Sequence, residues 1–193
     1  MMQRRTLLLG TIALLSSCGI AGNLRQGLDF TVVRDRLLVR GVITSRSPAA
    51  FEDVLAQNPQ IRTIVLQIVE GSLDDEAMIR MGYAIRDRGL DTALQSDSGI
   101  YSGAVDLYLA GVRRSMVVGA EIGVHSWADG FGEGSSYPRD AVEHRLNAQY
   151  TTDMLGSDAF YWFTLQAAPS DEIYIMSRDE IIEFGLVTDV IDL

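Results

Sequence analysis

Three residues in the middle of the chain have the type and setting for acyl-transfer chemistry. Ser102 sits in a stretch that reads as a strand-to-helix turn, with Gly99 before it and Gly103 after it. Small neighbours of that kind let a carbonyl group approach a serine hydroxyl closely. His125 ends a short apolar run, where an imidazole can be presented to a pocket rather than packed. Gly71 closes a β-branched run just before a helix, so its N–H has no β-carbon to shield it and the helix start beside it favours negative charge. A serine needs a base to become a nucleophile near neutral pH. The chain has no lysine and only two histidines, so His125 and His144 are the ordinary bases at hand. His144 lies between Glu143 and Arg145 in an expected helix over 138–155 and reads as a solvated surface residue. Each feature alone has a plain structural explanation, since a serine before glycine is most often a turn or cap residue.

The elements that must position these residues alternate in type. Residues 30–33 and 36–42 read as two strands about a tight turn at Arg34 and Asp35. Ser47 and Pro48 open a helix, as N-cap and first helical residue, which Asn58 and Pro59 end. The run TIVLQIV (63–69) suits a strand buried on both faces of a parallel sheet. Residues 70–72 read as a turn and 74–88 as a helix with Asp74, Asp75 and Glu76 in its first turn and Arg86 and Arg88 in its last. A short strand is expected at 91–95, a small-residue turn at 98–103 and a helix at 104–110. Two strands at 115–118 and 122–125 precede a glycine-rich stretch, 127–137, which reads as an exposed loop. Helices at 138–155 and 160–166, a strand at 173–176 and a last helix at 178–184 complete the pattern. The alternation predicts a single α/β domain with right-handed crossovers.

Four segments in order carry a family resemblance: VLQIVEGSL (65–73), IYSGAVDLYLAG (100–111), IGVHSW (122–127) and MSRDEIIEFGLVTDVI (176–191). They resemble, in turn, the glycine turn, the nucleophile segment, the histidine segment and the closing M-S motif of the Clp protease proteolytic subunit and the wider ClpP/crotonase superfamily. The nearest form is a group of uncharacterised periplasmic ClpP-like proteins. The resemblance spans roughly residues 28–193. It implies a ClpP/crotonase-like fold built from repeated β-β-α units with a mainly parallel sheet. It further implies a serine hydrolase, a peptidase by preference, in which Ser102 attacks, His125 moves the proton, and the N–H groups of Gly71 and Gly103 hold the oxyanion. No cofactor or metal is implied. Members of the superfamily often assemble into trimers or larger rings through the late helix, a role that the resemblance makes open to the helix 138–155 in a homo-oligomer.

The sequence departs from the family pattern in three places. The family's aspartate falls on Ile173. Asp171, two residues earlier and on the same face if the strand extends that far, is the first substitute, ahead of Asp129 and Asp140, and the alternative is a Ser102–His125 dyad. Glu70 brings a carboxylate next to Gly71, where a negative charge disfavours an oxyanion. Tyr101 stands where the family has alanine. Two functions of different class follow: a serine hydrolase, or a ClpP-fold binding or scaffold protein with a decayed site. Acyl-CoA chemistry of the crotonase kind fits poorly, because no basic cluster awaits its phosphates.

The first residues, MMQRRTLLLGTIALLSSCG, place Arg4 and Arg5 before a twelve-residue uncharged run. That run is too short to span a bilayer and suits the apolar region of a signal peptide. Residues 15–19, L-S-S-C-G, resemble the lipobox of bacterial lipoproteins, which implies cleavage after residue 17 and lipidation, palmitate included, at Cys18. Residues 18–27 then form a tether and 28–193 the domain. Gly19, rather than aspartate, favours the outer membrane over the inner. The expected setting is the cell envelope facing the periplasm, with the membrane as partner through Cys18 and a peptide or envelope component as substrate. Cys18 is the sole cysteine, which excludes an intramolecular disulfide and a multi-cysteine zinc site. A net charge of −10 argues against nucleic acid and against a charge-driven grip on anionic lipid.

Overall fold

A computed structural model describes residues 27–189, which form one α/β layer structure around a seven-stranded sheet. Cys18, the signal segment and most of the tether lie outside the described residues. Strands β1 (Leu28–Val33) and β2 (Arg36–Ile43) form an antiparallel hairpin about Arg34, whose φ is +57°. From β2 the sheet continues in parallel through β3 (Thr63–Ser72) and β4 (Asp91–Tyr101). The far end of β4 pairs with β6 (Glu121–Val124), and its first half pairs with β5 (Arg114–Met116). The two-residue β7 (Tyr174–Ile175) closes the edge antiparallel to β6. A mainly parallel sheet was expected, and the interior of the sheet is parallel.

Helices α1 (Ser47–Gln57), α2 (Asp75–Asp87) and α3 (Gly103–Leu109) follow β2, β3 and β4 in turn. Later come α4 (Arg145–Leu155), α5 (Ala159–Ala167) and α6 (Arg178–Glu183). The ends of these helices show their causes. Asp74 caps α2 by accepting the Ala77 N–H at 2.9 Å. Ser177 and Glu180 form a reciprocal capping box at α6. Arg86, in the last turn of α2, donates to the carbonyls of Leu109 and Ala110, both at 2.9 Å, so one guanidinium satisfies the free carbonyls that end α3. The buried Arg114 does the same for Gly111, Gly185 and Leu186 and so fastens the C-terminal segment to the sheet. Apolar residues of the strands and of the helices packed on them, among them Leu37, Ile64, Leu66, Leu94, Ile100, Met78, Met81 and Phe51, form one continuous core.

Several boundaries differ from the sequence expectation, each for a local reason. Arg46, not Ser47, is the N-cap residue of α1; the buried Ser47 instead accepts the Thr44 N–H at 2.9 Å from within the first turn. The expected turns at 70–72 and 98–103 are largely strand: β3 runs through Ser72, which pairs with Ile43, and β4 runs to Tyr101. The interruption in β4 is a bulge between the Leu66–Leu94 and Ile68–Gly99 pairs. Ser98 fills it, donating to the Leu66 carbonyl at 2.6 Å and accepting the Gln95 N–H at 2.9 Å. The expected long helix over 138–155 begins later, as a 3₁₀ turn at Val142–His144 followed by α4, with Pro138 to Ala141 held in a separate turn. Among the described residues no helix is long and apolar enough to cross a membrane.

Candidate active site

Gly71, Ser102 and His125 stand at the C-terminal ends of β3, β4 and β6, which are neighbours in the sheet. Parallel α/β sheets present their ligand sites at that edge. Ser102 is the corner between β4 and α3. Its N–H donates to the Gly123 carbonyl at 3.0 Å, and its own carbonyl accepts the Val105 N–H at 2.8 Å. It is held at φ +53°, ψ −133°, a region that glycine populates and side chains avoid. Arg34 and Ser102 are the two non-glycine residues with positive φ among the described residues, and Arg34 belongs to a surface hairpin.

The glycines around Ser102 are required by close approach. Gly71 has a φ of +131°, and a β-carbon there would lie 3.1 Å from Ser102 Cβ. A β-carbon on Gly103 would come within 2.7 Å of Ser72 Cβ. The backbone of β3 therefore runs directly against the serine corner.

Ser102 and His125 line one cleft. Its walls come from Asp75 at the start of α2, Val105 and Asp106 on α3, Asn147 on α4, Phe160, Tyr161 and Thr164 on α5, and Trp127. Among the described residues no arginine lines it. Among the described residues no hydrogen bond joins Ser102 to His125, and His125 Nδ1 is buried without a partner. Gly71 and Gly103 both adjoin Ser102. Asp171 is exposed and is not among the residues lining the cleft. Asp129 is exposed and turned into its own loop, where it accepts from the Phe131 and Gly132 N–H groups and from Tyr137 Oη. Asp140 is likewise exposed.

Two of the sequence departures are displaced from the site. Glu70 is exposed on the opposite face of β3 from the buried Gly71, because strand residues alternate. The Tyr101 ring lies across Gly99 and Gly123 with its hydroxyl on Glu121 at 3.0 Å, and it does not line the cleft.

His144 is not solvated, as its charged neighbours had implied, but buried, because α4 begins later and turns that residue inward. Its Nδ1 meets Tyr161 Oη at 2.7 Å, and Trp162 stands edge-on at 4.7 Å. Tyr161 Oη also accepts the Trp127 Nε1–H at 2.9 Å, so one hydroxyl joins the cleft wall to this buried histidine. Burial pushes the Tyr161 hydroxyl up to about 12.

Asp106 was not singled out by sequence. It follows Ser102 by four residues, the spacing that puts two side chains on one helix face. That spacing was its available signal. Burial first, and then the charge of Asp75, push its carboxyl up to about 7. Asp75 and Asn147 come from helices far off in the chain and left no such mark; Asn147 Nδ2 reaches Asp75 at 3.3 Å.

Many solved structures share this architecture, and three of them are representative. One is the 1510-N membrane-bound stomatin-specific protease in complex with a substrate peptide, with TM-score 0.54 and 13% identity over 79% of this chain and 74% of that one. A second is a ClpP1 mutant from Listeria monocytogenes, with TM-score 0.55 and 15% identity over 83% and 92%. A third is an enoyl-CoA hydratase from Mycobacterium avium subsp. paratuberculosis, with TM-score 0.52 and 15% identity over 84% and 70%. The chain has a ClpP/crotonase-like fold. At such identities the likeness is one of fold. No family model matches the sequence. No curated protein matches it either. Within the ClpP/crotonase-like fold both peptidases and enoyl-CoA hydratases occur among the neighbours, so the chemistry has to be argued from the cleft itself.

Proposed function

We propose that the protein is a ClpP-like serine hydrolase that cleaves peptides or envelope components outside the cytoplasm, tethered to a membrane through lipid on Cys18. The observation that carries the reading is Ser102, a non-glycine residue held at φ +53° at a strand-to-helix corner, in one cleft with His125 and against the backbone of Gly71. Strained corners of that kind cluster at functional sites. In the proposed reaction Ser102 Oγ adds to the substrate carbonyl while its proton passes to His125. The N–H groups of Gly71 and Gly103 receive the negative charge that forms on the carbonyl oxygen. His125 then returns the proton to the leaving amine, and water repeats the sequence to release the acyl group. Asp171 was the sequence candidate for third member; its exposed position supports a Ser102–His125 pair in which another group orients the imidazole.

The cleft chemistry disfavours acyl-CoA as substrate. Asp75 and Asp106 line it, and among the described residues no arginine stands there to meet phosphate. A binding or scaffold role is the second reading, and one observation favours it: no hydrogen bond links Ser102 to His125. Catalytic contacts are often long before substrate arrives, which keeps the hydrolase reading first.

A fluorophosphonate probe separates the two. Wild-type protein labels covalently and Ser102→Ala does not. Absence of labelling in folded wild-type protein, with an unaltered phenotype in the Ser102→Ala strain, rules out the hydrolase. Anchoring has its own test: palmitate incorporates into the wild-type chain, and Cys18→Ser abolishes incorporation and releases the protein from membranes. Retention of label in the variant would show that Cys18 is not the site.

A further inference from the structure

Resting on the hydrolase reading, we propose that Glu133 is the positioning carboxylate of His125, delivered by the glycine-rich loop. After His125 the chain turns back on itself. Ala128 pairs antiparallel with Glu133, and the Gly134 N–H donates to the Trp127 carbonyl at 2.7 Å. The Ser135 N–H reaches Ser126 Oγ, beside His125, at 3.3 Å. Gly134 is packed against the Trp127 ring so closely that a β-carbon there would lie 2.6 Å from it. The loop that reads as merely exposed in sequence is thus a short hairpin on the segment that carries the histidine.

The Glu133 carboxylate is fixed within it. Ser170 donates its hydroxyl at 2.5 Å to one oxygen and its N–H at 3.1 Å to the other. The Ser170 hydroxyl, above all, holds the Glu133 carboxyl below the usual carboxylate range, and a positive charge on His125 acts in the same direction. Glu133 is partly buried and does not line the cleft. It therefore acts on the imidazole from outside the space a substrate would fill.

His125 needs such a group. Its Nδ1 is buried and unpartnered, and an unpaired buried polar atom is costly. For His125 to take a proton from Ser102, the imidazolium that forms must be stabilised by a nearby negative charge. Asp171 is only one residue past Ser170, but its side chain is exposed. In this chain the segment where a carboxylate was sought supplies a serine that holds a glutamate from another loop.

The test uses the full-length protein. Rates of fluorophosphonate labelling are measured across pH for wild type, Glu133→Gln, Glu133→Asp and Asp171→Asn, with circular dichroism as the check on folding. Glu133→Gln should slow labelling by on the order of 10²-fold and change the pH profile, whereas Glu133→Asp recovers most of the rate and Asp171→Asn stays near wild type. Carbon NMR of glutamate-labelled protein gives a readout free of activity: in His125→Asn the Glu133 titration moves up toward the ordinary carboxylate range. Wild-type labelling by Glu133→Gln, loss of labelling in Asp171→Asn alone, or an unmoved Glu133 titration overturns the assignment. If wild type itself never labels, the hydrolase reading fails, and the NMR result still decides whether Glu133 and His125 are coupled.

Discussion

Gly71 and Ser102 lie so close that a β-carbon on the glycine would sit 3.1 Å from the Cβ of the serine and 3.3 Å from the Tyr101 carbonyl oxygen. The contact joins the ends of two neighbouring strands. It brings the Gly71 backbone beside the side chain proposed to attack substrate, and it tolerates no larger residue.

Gly71→Ala tests that closeness. The new methyl would crowd Ser102, and alanine at φ +131° is strained wherever it has room. The variant should lose about 1–3 kcal/mol of stability and most of its fluorophosphonate labelling. Urea denaturation read beside the labelling rate checks both; labelling at the wild-type rate would falsify a role for the Gly71 backbone.

Ser102→Gly addresses the strain itself. Glycine populates φ +53°, ψ −133° freely, so the variant should be more stable than Ser102→Ala by about 1 kcal/mol or more. It should also be inert to the probe. Thermal denaturation of the two variants is the measurement, and equal stability would mean that the corner stores no strain.

Asp106 links the cleft to pH. Its carboxyl is pushed up to about 7 from an ordinary value near 3.8, first by burial and then by Asp75. The folded state therefore binds this proton more tightly than the unfolded chain does. Its stabilising effect is complete below about 3.8 and is lost as pH rises to about 7. Asp106→Asn, which carries no charge at any pH, should resemble wild type near pH 4 and gain stability over it at pH 8. Because Asp106 keeps some solvent contact, a gain of a few kcal/mol is the upper bound. Urea midpoints at the two pH values check it, and an equal difference at both would sink the link.

Tyr161→Phe removes one hydroxyl that serves two partners. Trp127 Nε1 would lose its acceptor, and the buried Nδ1 of His144 its partner. The expected loss is about 1–3 kcal/mol. Indole fluorescence should report a shifted Trp127 environment, and a silent variant would show that both groups find other partners.

The alternation of strands and helices was legible in sequence because elements carry their own signals, such as the β-branched run at 63–69 and the acidic first turn of α2. Ser102 and His125 could be named because each ends a strand on the expected edge of a parallel sheet, which the chain order alone implies. The order of residues says nothing of where a side chain finishes once helices have packed. His144 is flanked by charges, yet it is buried; α4 starts late and faces it inward against Tyr161 and Trp162. Asp75 of α2 meets Asn147 and Tyr161 of the consecutive helices α4 and α5 in the cleft, with Asp75 and Asn147 lying 72 positions apart in the chain. Glu133 stands in a glycine-rich loop with no periodicity, and only the pairing of that loop back onto Ala128 sets it beside the segment that carries His125. Local propensity, capping and strand order belong to short stretches of sequence. The setting of the serine and histidine depends also on Asp75, Asn147 and Tyr161, which tertiary packing alone brings to the cleft.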